Sequence, residues 1–274
     1  MSLQTEWIHY GSEGQYTGYA ARLSALKEPA PAVVVLQEIW GVDEHIQDVT
    51  RRIAQAGYTA FAPDLYARDG ARPPGLDFAR VEAAKSFLNT VSPALWRDPD
   101  ARRAALERLP ASERDELSET LELLFAGSGR MDEYVRLAAD TCSFLREQYE
   151  YSAGQGVCAV GFCLGGAIAG LLAAEDAALR GAVVFYGNPP GAERAGRIRC
   201  PLLGLYGELD RRITDAVAPF AAAMEAAGRS FEYHVYPHAP HAFFNDTRPV
   251  YHAPSARDAW VQTLAFLNRV LQPA

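Results

Sequence analysis

The chain has 274 residues, 49% of them hydrophobic and 22% charged, which is enough core-forming residue for one large domain and excludes a disordered chain. Its 26 Lys and Arg against 34 Asp and Glu give a formal net charge of −8, and with no basic stripe along the sequence that sign argues against nucleic acid as a partner. Apolar runs such as residues 30–36 fall far short of the roughly 20 residues that a bilayer span needs, so no membrane segment is expected.

From the N-terminus, residues 7–10 and 16–23 read as strands with interleaved polar residues, joined by Gly11-Ser12-Glu13-Gly14 into an antiparallel hairpin at a sheet edge. A strand over 32–37, apolar up to Gln37, follows, then a helix over 43–56 opened by Asp43 and closed by Gly57, a strand over 59–63, and a helix over 77–89. Between Val91 and Arg130 the pattern changes. Pro93, Pro99 and Pro110 punctuate a charged, leucine-bearing stretch ending in Gly127-Ser128-Gly129, which predicts two or three short helices inserted between strands. Such an insertion is either a solvated excursion or a lid over substrate. Beyond it come a helix over 140–149 opened by Asp140, strands over 156–161, 181–186, 201–206 and 231–236, and helices over 163–174, 214–227 and 255–271. This alternation predicts an α/β fold spanning residues 1–274 as one domain, with a mostly parallel central sheet and helices on both faces.

The four cysteines, Cys142, Cys158, Cys163 and Cys200, are too few and too scattered for a disulfide framework, so free thiols are expected. With His238-Ala239-Pro240-His241 the only paired histidine spacing, no metal site is predicted. The opening Met1-Ser2-Leu3-Gln4-Thr5-Glu6 carries neither the basic start nor the apolar stretch of a secretory signal, and the cytoplasm is the expected compartment.

The sharpest motif is Val160-Gly161-Phe162-Cys163-Leu164-Gly165-Gly166, a G-x-C-x-G where a strand passes directly into a small-residue helix. In the serine version of this elbow the nucleophile sits on a strained turn flanked by glycines, because side chains there would collide with neighbouring backbone. Cys163 at the helix N-terminus also gains the positive end of the dipole for a thiolate or an oxyanion. The competing reading is a cysteine buried at a glycine-packed junction. Downstream, Asp210 follows an apolar strand where an orienting acid is expected, or else caps the next turn. His241 is the candidate base, with His238 of the same loop as the alternative and His234 read as a strand residue. The order Cys163, Asp210, His241, each just after a strand, favours an enzyme over a binding module.

Three motifs together resemble the dienelactone hydrolase family of the α/β-hydrolase fold: Gln37-Glu38-Ile39-Trp40-Gly41-Val42, Pro63-Asp64-Leu65-Tyr66 and Gly161-Phe162-Cys163-Leu164-Gly165-Gly166. The resemblance implies Cys163 as nucleophile, His241 as base and Asp210 as its orienter. It implies backbone N–H groups of Ile39 and Leu164 as the oxyanion hole, and Glu38 as a carboxylate that contacts the resting thiol and moves away when substrate arrives. Trp40 would wall the acyl pocket or pack in the core. The family holds a substrate carboxylate with arginines; one such position, four residues after His241, is Asn245 here, Arg80 matches the region of the other, and Arg248 offers a shifted replacement. The expected activity is hydrolysis of an ester or lactone bond in a small polar or anionic molecule through an acyl-thioester, without cofactor or metal, in a monomer or weak homodimer. A thioesterase, a general carboxylesterase or a non-catalytic ligand-binding member are the alternatives.

Overall fold

The continuous apolar runs become strands buried on both faces. β3 (Ala32–Leu36) and β5 (Val157–Phe162) are buried throughout, pair in parallel and lie at the centre of an eight-stranded sheet. With β1 (Leu3–Tyr10), β2 (Tyr16–Leu23), β4 (Thr59–Pro63), β6 (Gly181–Phe185), β7 (Leu202–Gly207) and β8 (Phe231–Tyr236), the order is β1-β2-β4-β3-β5-β6-β7-β8. β1 and β2 form the expected hairpin, with Tyr10 opposite Tyr16; β2 runs antiparallel to β4, and the other pairings are parallel. The structure, a computed structural model, describes residues 2–91, 96 and 98–271.

Strand side chains alternate between faces, and the core divides accordingly. Val33 and Val35 pack with Ile46 and Ile53 of α1 (Glu44–Gln55) and with Phe266 and Leu267 of α9 (Ala253–Leu271). Val34 and Leu36 pack with Leu145 of α5 (Met131–Glu147), Ile168 of α6 (Leu164–Glu175) and Phe220 of α8 (Val217–Ala226) on the opposite face. This is the α/β-hydrolase arrangement. The loops leaving the carboxyl ends of β3, β5, β6, β7 and β8 converge on one edge of the sheet, where parallel sheets bind their ligands. Among the described residues no helix is long and apolar enough to cross a membrane.

The insertion is not a solvated excursion. After α2 (Phe78–Thr90) it forms α3 (Pro99–Leu106) and α4 (Ala111–Ala126), and Leu106, Leu121 and Leu124 are buried in the same core as Val34. Pro99 sits in the first turn of α3, where a missing N–H is tolerated, with Asp98 capping the turn; Pro93 lies outside the described residues. The helix predicted to open at Asp140 begins instead at Met131, because Asp140 caps nothing: its carboxylate accepts from the Tyr16 hydroxyl at 2.8 Å, tying α5 to β2. The helix predicted over 214–227 is α8, which starts at Val217 after a separate short α7 (Arg211–Thr214), and that start puts Pro219 in the first turn of α8, the one stretch of a helix that accepts it.

Candidate active site

β5 ends at Phe162 and α6 begins at Leu164, so Cys163 alone turns the chain. Its φ of 53° lies in the left-handed region, a strain of about 1–3 kcal/mol for a residue with a Cβ. The Cys163 N–H donates to Phe185 O at 3.0 Å, pinning the turn to β6. The flanking glycines are steric necessities: a Cβ on Gly161 would lie 1.9 Å from Gly165 O, and one on Gly165 would lie 2.2 Å from Leu36 O. Both obstacles are backbone and cannot rotate away. Gly165→Ala is therefore expected to destabilise the fold by at least about 3 kcal/mol, the upper end of ordinary overpacking, as a fall in the urea midpoint without a change in slope.

At the carboxyl end of β7, Asp210 accepts from the N–H groups of Ile213 and Thr214 with its backbone carbonyl, while its carboxylate makes no capping bond. That carboxylate is buried and stands 2.5 Å from His241 Nδ1, and His241 Nε2 stands 3.2 Å from Cys163 Sγ. Of the two readings of Asp210, the carboxylate contacts His241 and caps no turn. The imidazole of His238 is exposed, 3.9 Å from Glu208, and His234 stacks on Tyr236 within β8. Burial by itself lowers the pKa of His241, but its electrostatic interaction with Cys163 and the hydrogen bond to Asp210 outweigh it and push it up to about 10.

Among the described residues Glu38 forms its side-chain hydrogen bonds with groups other than the thiol. It is buried, and its two oxygens accept from the Tyr186 hydroxyl at 3.0 Å and from Asn245 Nδ2 at 2.8 Å. Asn245 is in turn fixed by Thr247, whose N–H and hydroxyl both donate to Asn245 Oδ1. Where the resemblance implies a substrate-binding arginine, an amide here anchors Glu38. Tyr186 follows β6 directly, beyond the bound of the strand expected over 181–186, with a φ of 39° and its ring 5.2 Å from that of His241; a polar-tipped aromatic at a strand's carboxyl end is the signal in the sequence that marks it.

The loop after β3 turns back at Glu38, with Gly41 N–H donating to Glu38 O at 3.3 Å, and the Tyr66 hydroxyl holds Ile39 O at 2.8 Å. Gly165 N–H donates to Gln37 O, so this loop is bonded directly to the start of α6. Among the described residues neither the Ile39 nor the Leu164 N–H donates to a protein acceptor, which leaves both available to an oxyanion at the head of α6. Trp40 is buried and packs edge-on against Trp96 of the insertion, 5.7 Å between ring centres.

The two arginines part company. Arg80 does not join this group: its guanidinium bonds Glu116 O and Glu119 of α4, and it lines a groove of about 630 Å³ between α2 and α4 with Phe87, Leu109 and Leu117. Its position in sequence placed it near the pocket; its side chain turns toward the acidic helix packed beside it. Arg248 stacks over Trp96 at 4.3 Å and lies 5.7 Å from Trp40. Burial lowers its pKa, opposed by Glu38, Cys163, Tyr186 and Asp43, all close enough to act on it. Among the described residues no cluster of His, Cys, Asp and Glu has the arrangement of a metal site, and all four cysteines are free.

Residues 17–271 match the model of the dienelactone hydrolase family. A Saccharolobus solfataricus protein named "Putative carboxymethylenebutenolidase" is 33% identical over 96% of this chain and 98% of its own length, and one of the same name from Escherichia coli K12 is 34% identical over 92% and 81%. The crystal structure titled "Putative Dienelactone Hydrolase", from Klebsiella pneumoniae, covers 98% of this chain and 100% of its own, with 29% identity and a TM-score of 0.66. The chain is a hydrolase that belongs to the dienelactone hydrolase family.

Proposed function

We propose that the chain hydrolyses an ester or lactone bond in a small polar or anionic molecule through an acyl-thioester on Cys163. The observation that carries this reading is the continuous path Asp210 Oδ2 to His241 Nδ1, and His241 Nε2 to Cys163 Sγ, at 2.5 and 3.2 Å, on an elbow at the N-terminus of α6. The sulfur attacks the carbonyl carbon, and the N–H groups of Ile39 and Leu164 receive the oxyanion. The imidazolium of His241 gives its proton to the leaving oxygen as the C–O bond breaks; the neutral ring then takes a proton from water, whose oxygen adds to the thioester carbonyl, and the C–S bond breaks to release the acid and return the sulfur as thiolate beside the imidazolium. Asp210 holds the ring with Nε2 toward sulfur throughout. No step calls for a cofactor.

Trapping tests the reading directly. Rapid quenching during turnover of an activated ester, followed by peptide mass analysis, is expected to show the acyl group on Cys163; acylation at another residue, or none under burst conditions, would overturn it. A pH profile adds a sign. His241 keeps its proton until about pH 10, so kcat/KM for an alkyl ester or lactone is expected to hold through neutral pH and fall above about 10, where the imidazolium can no longer protonate the leaving alkoxide. A p-nitrophenyl ester, whose leaving group needs no proton, is expected to lack that alkaline fall.

A further inference from the structure

We infer that Tyr66, in the Pro63-Asp64-Leu65-Tyr66 stretch at the end of β4, is a positioning residue whose hydroxyl aims the Ile39 N–H at the oxyanion formed during ester hydrolysis. This rests on the hydrolase reading above and gives that motif a part in the chemistry.

A peptide unit is planar, with its N–H and C=O pointing opposite ways, so holding the carbonyls on either side of the Ile39 Cα sets the direction of its N–H. The Ile39 N–H shares its plane with the Glu38 carbonyl, which accepts from Gly41 N–H at 3.3 Å. The next plane carries the Ile39 carbonyl, which accepts from the Tyr66 hydroxyl at 2.8 Å. Of these two bonds, the first closes within the loop itself. The second comes from a side chain on a different strand's loop, and a substitution can remove it. The hydroxyl acts by orientation and not by polarising the donor, because the carbonyl it holds belongs to the peptide unit after the one that carries the Ile39 N–H.

The support behind Tyr66 is rigid. Its side chain is buried, with its ring set edge-on to that of Tyr134 at 6.3 Å, and its own N–H donates to Asp64 Oδ1 at 3.0 Å. Asp64 Oδ2 pairs with Arg72 Nε at 2.5 Å, both side chains buried. The Arg72 guanidinium lies over the Phe78 ring at 3.9 Å and fills the space beside Gly41, whose φ of 76° suits glycine. One residue before Tyr66, the Leu65 N–H donates to Gln37 Oε1 at 3.1 Å, and the Gln37 carbonyl accepts from Gly165 N–H at 2.9 Å. The loop after β4 thus braces the segment that carries Ile39, and that segment is bonded to the residue next to Leu164. Burial pushes the Tyr66 phenol well above its ordinary range, so the hydroxyl keeps the proton it donates, and Cys163 is among the groups close enough to act on it.

Tyr66→Phe keeps the ring and removes the hydroxyl. With p-nitrophenyl butyrate, formation and hydrolysis of the acyl-thioester both pass through an oxyanion, so kcat is expected to fall while KM holds. The expected fall is about thirtyfold, less than the roughly 10²–10³ that follows removal of a whole oxyanion donor. Alkylation of Cys163 by iodoacetamide supplies the contrast: the sulfur displaces iodide from a saturated carbon, and no oxyanion forms. Its second-order rate in Tyr66→Phe is expected to stay within about twofold of the parent's. Tyr134→Phe, which also removes a hydroxyl from a buried neighbouring ring, is expected to leave turnover and alkylation as they are in the parent. A kcat for Tyr66→Phe within about twofold of the parent, a loss confined to KM, an equal loss in alkylation, or an equal loss of kcat in Tyr134→Phe would each overturn the proposal. A parent that leaves the ester unhydrolysed, or whose Cys163 is not alkylated, would instead strike at the hydrolase reading on which this one stands.

Discussion

A Cys163→Ala variant is expected to fold as the parent does and to lose at least about a thousandfold in kcat/KM toward activated esters. The fold should survive because alanine keeps the Cβ, so the φ of 53° is no more strained than before, and the removed atom makes one hydrogen bond, to His241, worth about 0.5–1.5 kcal/mol. The activity should not survive, because no other described cysteine can take over: Cys142, Cys158 and Cys200 are buried, and burial raises all three pKa values, Cys200 to about 11. Ester turnover and a thermal melt on the same preparation check both halves; rates within a few-fold of the parent would end the assignment of Cys163.

Cys163→Ser sharpens the point. A hydroxyl is not ionised near neutrality and needs His241 neutral to take its proton, whereas the thiolate needs only an imidazolium beside it. The serine variant is therefore expected to retain a small activity that rises with pH as His241 loses its proton. In the proposed mechanism the parent's sulfur does not need a neutral His241 to take its proton, so its rate with a p-nitrophenyl ester should be flat over the same range.

Periodicity along the chain exposed the sheet because its strands are short, apolar and separated by capped helices; all eight were legible, and β1 differed only by starting at Leu3 instead of residue 7. Local chemistry also exposed the elbow, since Gly161 and Gly165 are demanded by backbone a few residues away in space. What spacing cannot reveal is the direction of a side chain. Asp140 looked like a cap and holds Tyr16; Arg80 looked like a substrate clamp and holds α4. Glu38 was expected at the thiol, and its hydrogen-bond partners lie 148 and 207 residues along the chain, at the ends of contacts that only the folded sheet creates. Trp96 was invisible for the same reason: nothing next to it in sequence says that the insertion returns to the site of Arg248.

Asp210 separates orientation from charge in the proposed mechanism. Asp210→Ala removes the only partner of His241 Nδ1 among the described residues, so the ring is free to turn Nε2 away from sulfur, and kcat/KM is expected to fall by about 10³. Asp210→Asn retains an oxygen that can accept from Nδ1–H, so the ring stays oriented, but the negative charge that helps to hold the imidazolium is gone. The amide variant is expected to lie between the parent and Asp210→Ala in rate. Because the bond to the Asp210 carboxylate is one of the effects raising the His241 pKa, its alkaline limb on an alkyl ester should move to lower pH than the limb near 10 expected of the parent. A structural role alone would lower both variants without moving that limb. If Asp210→Asn keeps its limb at the parent's position while losing rate, the carboxylate charge plays no part in holding the imidazolium, and His241 owes its proton to Cys163 alone.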